Sequence, residues 1–122
     1  MEYINTRLVQ VFSKSSCPYC QKAIQLIEQY CIDDRCDSCD VEITEMDFLK
    51  TGEEMKDAFV DYTTQTTVPY IFLYGKFIGG CSDLVYLHLT NQLRDVFVKK
   101  RIKYTIKDIG SSCKRIKLTT TI

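Results

Sequence analysis

Cys17 and Cys20, separated by Pro18-Tyr19, are the residues of this chain best suited to chemistry. Their spacing fits one helical turn, so both sulfurs can face one spot. At a helix start, one thiol meets unpaired backbone N–H groups and the other sits half buried behind it. The first is then a nucleophile and the second a resolving partner. A Cys-x-x-Cys pair also makes half of a zinc site. The flanks here favour redox chemistry. Leu8 to Phe12 reads as a strand leading in, and Ala23, Ile24, Leu26, Ile27 and Tyr30 recur at helical spacing leading out. Pro18 falls in the first helical turn, where its missing N–H costs nothing.

Two further motifs stand about fifty residues on. Thr67-Val68-Pro69 opens an apolar run, and a proline there marks a sheet edge, a bulge or a cis bond. Gly79-Gly80-Cys81-Ser82-Asp83 sets bare backbone before a second helix start. Glycines there permit close approach of a ligand, and helix-start N–H groups favour an anion. By itself, Gly-Gly also reads as a simple turn.

The elements that must hold these motifs follow from periodicity. Thr6 to Phe12 is predicted as a strand, Tyr19 to Tyr30 as a helix, and residues 31–39 as an irregular connection. Val41 to Met46 is predicted as a second strand and Gly52 to Tyr62 as a helix with Met55, Ala58 and Phe59 inward. Tyr70 to Leu73 and Phe77-Ile78 make a hairpin about Tyr74-Gly75-Lys76. Ser82 or Asp83 caps a helix through Leu87, and a last helix runs from Asn91 to about Lys103 with Leu93, Val96 and Phe97 inward. Strands joined by a helix pair in parallel through a right-handed crossover, and the hairpin adds antiparallel strands. The expected architecture is α/β: a four-stranded mixed sheet with helices on both faces.

Taken together, the chain resembles a dithiol glutaredoxin of the Cys-Pro-Tyr-Cys type. The resemblance rests on Cys17 to Cys20, Thr67 to Pro69 and Gly79 to Leu84, in order and at the right spacing, and covers roughly residues 6–103. It implies a thioredoxin-like fold. It also implies that glutathione serves as reductant in reducing protein disulfides and glutathione–protein mixed disulfides. By resemblance Cys17 is the nucleophile and Cys20 resolves. Lys14 and Tyr19 flank the glycine end of glutathione, and Thr67, Val68 and a cis Pro69 pair with its cysteine. Gly80, Cys81 and Ser82 offer N–H groups to the γ-glutamyl carboxylate, and Asp83 meets the ammonium. Helix-start amides and Lys14 both favour an anionic Cys17 sulfur. Relatives often carry Gln or Arg before Thr-Val-Pro to bind the glycine carboxylate. Asp61, Gln65 and Thr66 occupy that stretch here; Asp61 would repel a carboxylate if it faced the site, and Gln65 could substitute. The alternative is a glutaredoxin that carries a [2Fe–2S] cluster, against which Pro18 argues.

The 122 residues suffice for one domain, here residues 1–109, followed by a basic tail, 110–122, read as extended or mobile. The longest apolar run, Val68 to Tyr74, is too short to cross a bilayer. The first residues lack a secretory pattern, so a cytoplasmic monomer without membrane contact is expected. Residues 1–93 carry seven Lys and Arg against fourteen Asp and Glu, while residues 94–122 carry nine against two. That tail lacks an aromatic platform, which disfavours nucleic acid as a partner. Expected partners are glutathione and disulfide-containing or glutathionylated proteins. Seven cysteines, an odd count, argue against a fully paired disulfide framework. Cys31, Cys36 and Cys39 lie among Asp33, Asp34, Asp37 and Asp40, which disfavour a reactive thiolate. They are surface thiols, a disulfide pair or, with Cys113, zinc ligands; the expectation is no metal. His88, alone on a helix, is read as structural.

Overall fold

The computed structural model describes residues 3–33 and 41–97. The connection at 34–40, the side chains of residues 31–33, and everything from residue 98 lie outside the described residues. The expectations for Cys31, Cys36, Cys39, Cys113, the end of the last helix and the 110–122 tail therefore fall outside them.

Four strands form one sheet in the order β2-β1-β3-β4. They are β1 (Val9–Ser13), β2 (Val41–Glu45), β3 (Tyr70–Leu73) and β4 (Lys76–Gly79). β1 pairs with β2 in parallel and with β3 antiparallel, and β3 pairs antiparallel with β4. Three helices are α1 (Pro18–Asp33), α2 (Gly52–Thr63) and α3 (Cys81–Leu89). A 3₁₀ turn, Met46–Phe48, follows β2, and residues 92–97 are helical. This is the thioredoxin-like arrangement that the sequence implied.

The two strand phases build two cores. Val9 and Val11 of β1, Val41 and Ile43 of β2, and Ile71 and Leu73 pack with Ala23, Ile24 and Ile27 of α1 and Leu84 of α3. On the opposite face Phe12, Tyr70 and Phe72 pack with Met55 and Phe59 of α2. Period-two alternation of side chains requires this division. Phe59 is the centre of the second core: its ring lies 4.5 Å from that of Phe12 and 5.1 Å, stacked, from that of Tyr70.

Several boundaries depart from expectation. β1 begins at Val9 rather than Thr6, because Asn5 folds the preceding residues into a turn. Its side chain accepts the Arg7 N–H at 2.8 Å and its carbonyl the Leu8 N–H at 3.2 Å. α1 runs three residues past Tyr30. α2 ends on Thr64 in the left-handed region (φ 65°), with its N–H donating to the Val60 carbonyl at 2.8 Å. α3 is capped neither by Ser82 nor by Asp83 standing at the helix start. Gly80 occupies the N-cap, and Asp83, three residues in, reaches back to accept the Gly80 N–H at 2.8 Å. Gly79 has φ 117°, and a β-carbon there would overlap the Asp83 carboxylate, so only glycine fits.

Phe59→Ala should lower stability by about 3–5 kcal/mol, the cost of emptying a packed aromatic site. Leu89→Ala, at a site 73% exposed, should stay within about 0.5 kcal/mol. Denaturant midpoints of the two variants test this.

Candidate functional site

The site forms where the strands of the sheet end. Ser13 closes β1, and four residues later Cys17 stands immediately before α1. The Cys17 N–H donates to the Lys14 carbonyl at 3.1 Å, and the Cys17 carbonyl accepts the Gln21 N–H at 3.2 Å. Cys17 is thus the helix N-cap, with Pro18 at the first helical position. The Cys20 N–H donates to Cys17 Sγ at 3.2 Å, so a helix-start amide that would otherwise lack a partner is directed at this sulfur.

The two thiols differ in exposure. Cys17 is partly exposed, whereas Cys20 is fully buried. Burial, reinforced by the hydrogen bond with Cys17 and by the charges of Cys17 and Glu45, pushes the Cys20 thiol up to about 12; the Lys14 backbone acts in the opposite direction. One sulfur is therefore presented outward, and the other is kept as a thiol behind it.

The remaining motifs converge on the same end of the sheet. Antiparallel pairing sets Tyr70 beside Phe12, so Pro69 lies next to the point where β1 gives way to the cysteine loop. The Val68–Pro69 bond is cis. Pro69 is buried, Val68 partly exposed and Thr67 exposed. Gly80 lies against this segment, since a β-carbon on it would stand 3.5 Å from the Pro69 carbonyl oxygen. Cys81 completes the circle. Burial raises its thiol, Lys22 opposes that shift, and the Cys17 sulfur adds to it. Ser82 and Asp83 are exposed, and Asp83 is already engaged with Gly80. Tyr19 is 63% exposed, with Lys22 Nζ 5.4 Å from its ring centroid.

One reading needs correction. Gln65 does not offer its amide nitrogen to a ligand. Nε2 donates to the carbonyls of Thr67 at 2.7 Å and Pro69 at 2.9 Å, which uses both of its hydrogens. Gln65 therefore ties down the two residues on either side of Val68, while its own carbonyl accepts the Tyr70 hydroxyl at 2.7 Å. Lys14 acts on Asp47 as well as standing near the cysteines. Ser15 donates its N–H and its hydroxyl to that carboxylate, at 3.1 and 2.6 Å. These bonds, led by the hydroxyl and aided by the Lys14 charge, hold the Asp47 carboxyl below its ordinary range.

Two features went unread in the sequence. Lys56 of α2 and Lys14 line one cavity of about 200 Å³, with Asp47, Gly52 and Glu53. Nothing local to Lys56 announces this, since α2 reaches Lys14 only through the tertiary fold. Glu45 is 93% buried and accepts the Ser13 hydroxyl. Here a signal did exist: Val41, Ile43 and Glu45 share one strand phase, which puts an ionisable residue on the inward face. His88 fits a structural role, its Nδ1 lying 2.6 Å from the Tyr30 hydroxyl.

The glutaredoxin family model matches residues 9–78. The chain belongs to the glutaredoxin family. A glutaredoxin of Ricinus communis is 35% identical over 92 residues, covering 75% of this chain and 83% of the relative. The crystal structure of wheat glutaredoxin superposes with a TM-score of 0.71 at 32% identity, covering 81% of this chain and 87% of that one. A buckwheat glutaredoxin–glutathione complex superposes with a TM-score of 0.68 at 29% identity, covering 78% and 80%. No helix among the described residues is long and apolar enough to cross a membrane.

The contrast between the two thiols gives a direct test of this glutaredoxin. At pH 8 iodoacetamide should alkylate Cys17 in the native reduced protein and leave Cys20 unmodified, whereas both should react in denaturant. Peptide mapping that found Cys20 labelled as fast as Cys17 in the native state would contradict the burial described here.

Proposed function

We propose that this glutaredoxin is a glutathione-dependent thiol–disulfide oxidoreductase that reduces glutathione–protein mixed disulfides and protein disulfides. The observation that carries this reading is the Cys20 N–H aimed at the outward Cys17 sulfur, with the Cys20 thiol buried behind it. An amide donor favours the anionic sulfur, and the thiolate is the form that attacks.

With a glutathionylated protein, the Cys17 thiolate attacks the glutathione sulfur. A Cys17–glutathione disulfide forms, and the protein sulfur leaves with the electron pair of the broken bond. A second glutathione thiolate then attacks the bound glutathione sulfur, which releases glutathione disulfide and restores Cys17. With a protein disulfide, Cys17 forms a mixed disulfide with one substrate sulfur. The Cys20 sulfur then attacks Cys17 Sγ, the substrate leaves as a dithiol, and two glutathiones reduce the Cys17–Cys20 disulfide.

Glutathione is an extended tripeptide with carboxylates at both ends and one ammonium. Its cysteine backbone suits Val68, whose neighbours Gln65 holds in place. The γ-glutamyl carboxylate suits the N–H groups that open α3 at Cys81 and Ser82, and the ammonium suits the exposed Asp83. The glycine carboxylate suits Lys14, near Tyr19. Lys56, across the same cavity, takes the part first expected of Gln65. The solved buckwheat relative is a glutathione complex, in keeping with this choice of ligand.

Cys17→Ser should abolish both reactions. Cys20→Ser should retain deglutathionylation and lose most protein-disulfide reduction. A glutathione-coupled assay on each substrate class checks this, and equal loss of both activities in Cys20→Ser would refute the division of roles. Lys56→Ala should raise KM for a glutathionylated substrate about five- to tenfold with kcat little changed, as expected for loss of roughly 1–1.4 kcal/mol of charge pairing. An unchanged KM would remove Lys56 from the binding site.

A further inference from the structure

Beneath the two cysteines lies a buried polar pair with no part in the scheme above. β1 and β2 run parallel with Ser13 opposite Glu45. Val9 and Val11 share a strand phase with Ser13, and Val41 and Ile43 with Glu45. Those four valines and isoleucines pack under α1 with Ala23, Ile24 and Ile27. The same phase carries Ser13 and Glu45 to the C-terminal end of both strands, beneath the first turn of α1. The inward residue of that turn is Cys20, 0% exposed; Ser13 is 1% and Glu45 7% exposed. The Lys14 backbone, next to Ser13 in the chain, hydrogen-bonds the Cys20 thiol, and the Glu45 charge acts on it.

A buried carboxylate is costly where an apolar side chain would pack. The Ser13 hydroxyl, its hydrogen-bond partner among the described residues, satisfies one of about four acceptor sites. The position also faces a chemical problem. Cys20 must attack as a nucleophile, yet it is fully buried, and burial disfavours its thiolate. The proton has to leave as the bond forms. Cys17 cannot take it, because at that moment its sulfur is bound in the mixed disulfide. The Lys14 backbone amide is a donor. The Glu45 carboxylate, buried at the end of β2 beside Ser13, can accept the proton.

We propose that Glu45 is the general base of the resolving step, held in place by Ser13, and that it receives the Cys20 proton as the Cys17–Cys20 bond forms. The Cys20 sulfur bonds to Cys17 Sγ, and the bond from Cys17 to the substrate sulfur breaks. Its electron pair leaves on the substrate sulfur, and the proton moves to the Glu45 carboxylate. Glu45 then passes the proton to the departing thiolate or to water. The two cysteines are oxidised and the substrate disulfide is reduced. This rests on the oxidoreductase reading above. It assigns Glu45 to the two-cysteine branch alone, since the one-cysteine branch never deprotonates Cys20.

Single-turnover oxidation by glutathione disulfide separates the steps. A first phase loads glutathione onto Cys17, and a second closes the Cys17–Cys20 disulfide with release of glutathione. Acid quench and mass spectrometry count both. Glu45→Gln keeps an acceptor for Ser13 but is far too weak a base. It should slow the second phase at pH 7 at least tenfold, with the first phase within about threefold of wild type. Closure should then recover about tenfold per pH unit, as free thiolate takes over, with Cys17 and the Lys14 amide the remaining groups acting on Cys20. Glu45→Asp, which restores a carboxylate, should recover much of the rate. Closure at the wild-type rate in Glu45→Gln would overturn the proposal. So would equal slowing of both phases, or an Asp variant no better than Gln, either of which marks a structural role. Wild-type protein that never accepts glutathione would instead refute the parent reading and this one with it.

Discussion

One donor–acceptor contact organises the rest of this molecule: the Cys20 amide in the first turn of α1 pointing at the sulfur of the residue that caps the helix. For that contact to exist, α1 must begin within a few residues of the end of β1. The chain must also turn there without spending the amide elsewhere. The cysteine N-cap and the proline beside it meet both demands, because proline removes one competing donor and sets the backbone for the first turn. The sheet supplies the fixed base. β1 is a central strand, bonded on both sides, so the loop it launches starts from a backbone with little freedom.

The other motifs fit around that contact by sharing donors and acceptors. Asp47 takes both polar hydrogens of Ser15 and so steadies the loop that carries Lys14. Gln65 fastens the carbonyls flanking Val68, and Asp83 fastens the start of α3. The Asp47 and Gln65 clamps each join a residue next to the site to one that never needs to touch a substrate. The surface that meets the ligand can therefore be built largely from main chain, with side chains working behind it. The aromatic core under the opposite face holds α2, and α2 in turn brings Lys56 across from Lys14.

What the sequence made legible follows the range of the interactions. Strand alternation and helical spacing located β1 to β4 and α1 to α3 among the described residues, because those signals are local. The cysteine pair, the proline segment and the glycine pair were readable as motifs, each with its own backbone logic. The errors came where a partner lies far along the chain or where polar chemistry competes with pattern. Asn5 shortened β1 through its own side chain. Asp83 proved to be a cap from inside the helix rather than at its start, since Gly79, without a β-carbon, leaves open space for the carboxylate to fold back. Gln65 looked like a ligand donor until its nitrogen was found to be committed. Lys56 and Asp47 gave no local sign, because each meets its partner only across the folded chain. Glu45 did give one, as a charged residue in an apolar strand phase.

The Gln65 clamp has a chemical weakness. Both of its attractions come from hydrogens on a single amide nitrogen. Spontaneous deamidation would replace that nitrogen with oxygen and leave a carboxylate facing two carbonyl dipoles. Contacts that hold the Val68 segment would become repulsions, with almost no change in side-chain size. This glutaredoxin would then age at this one residue by a route that no reductant reverses.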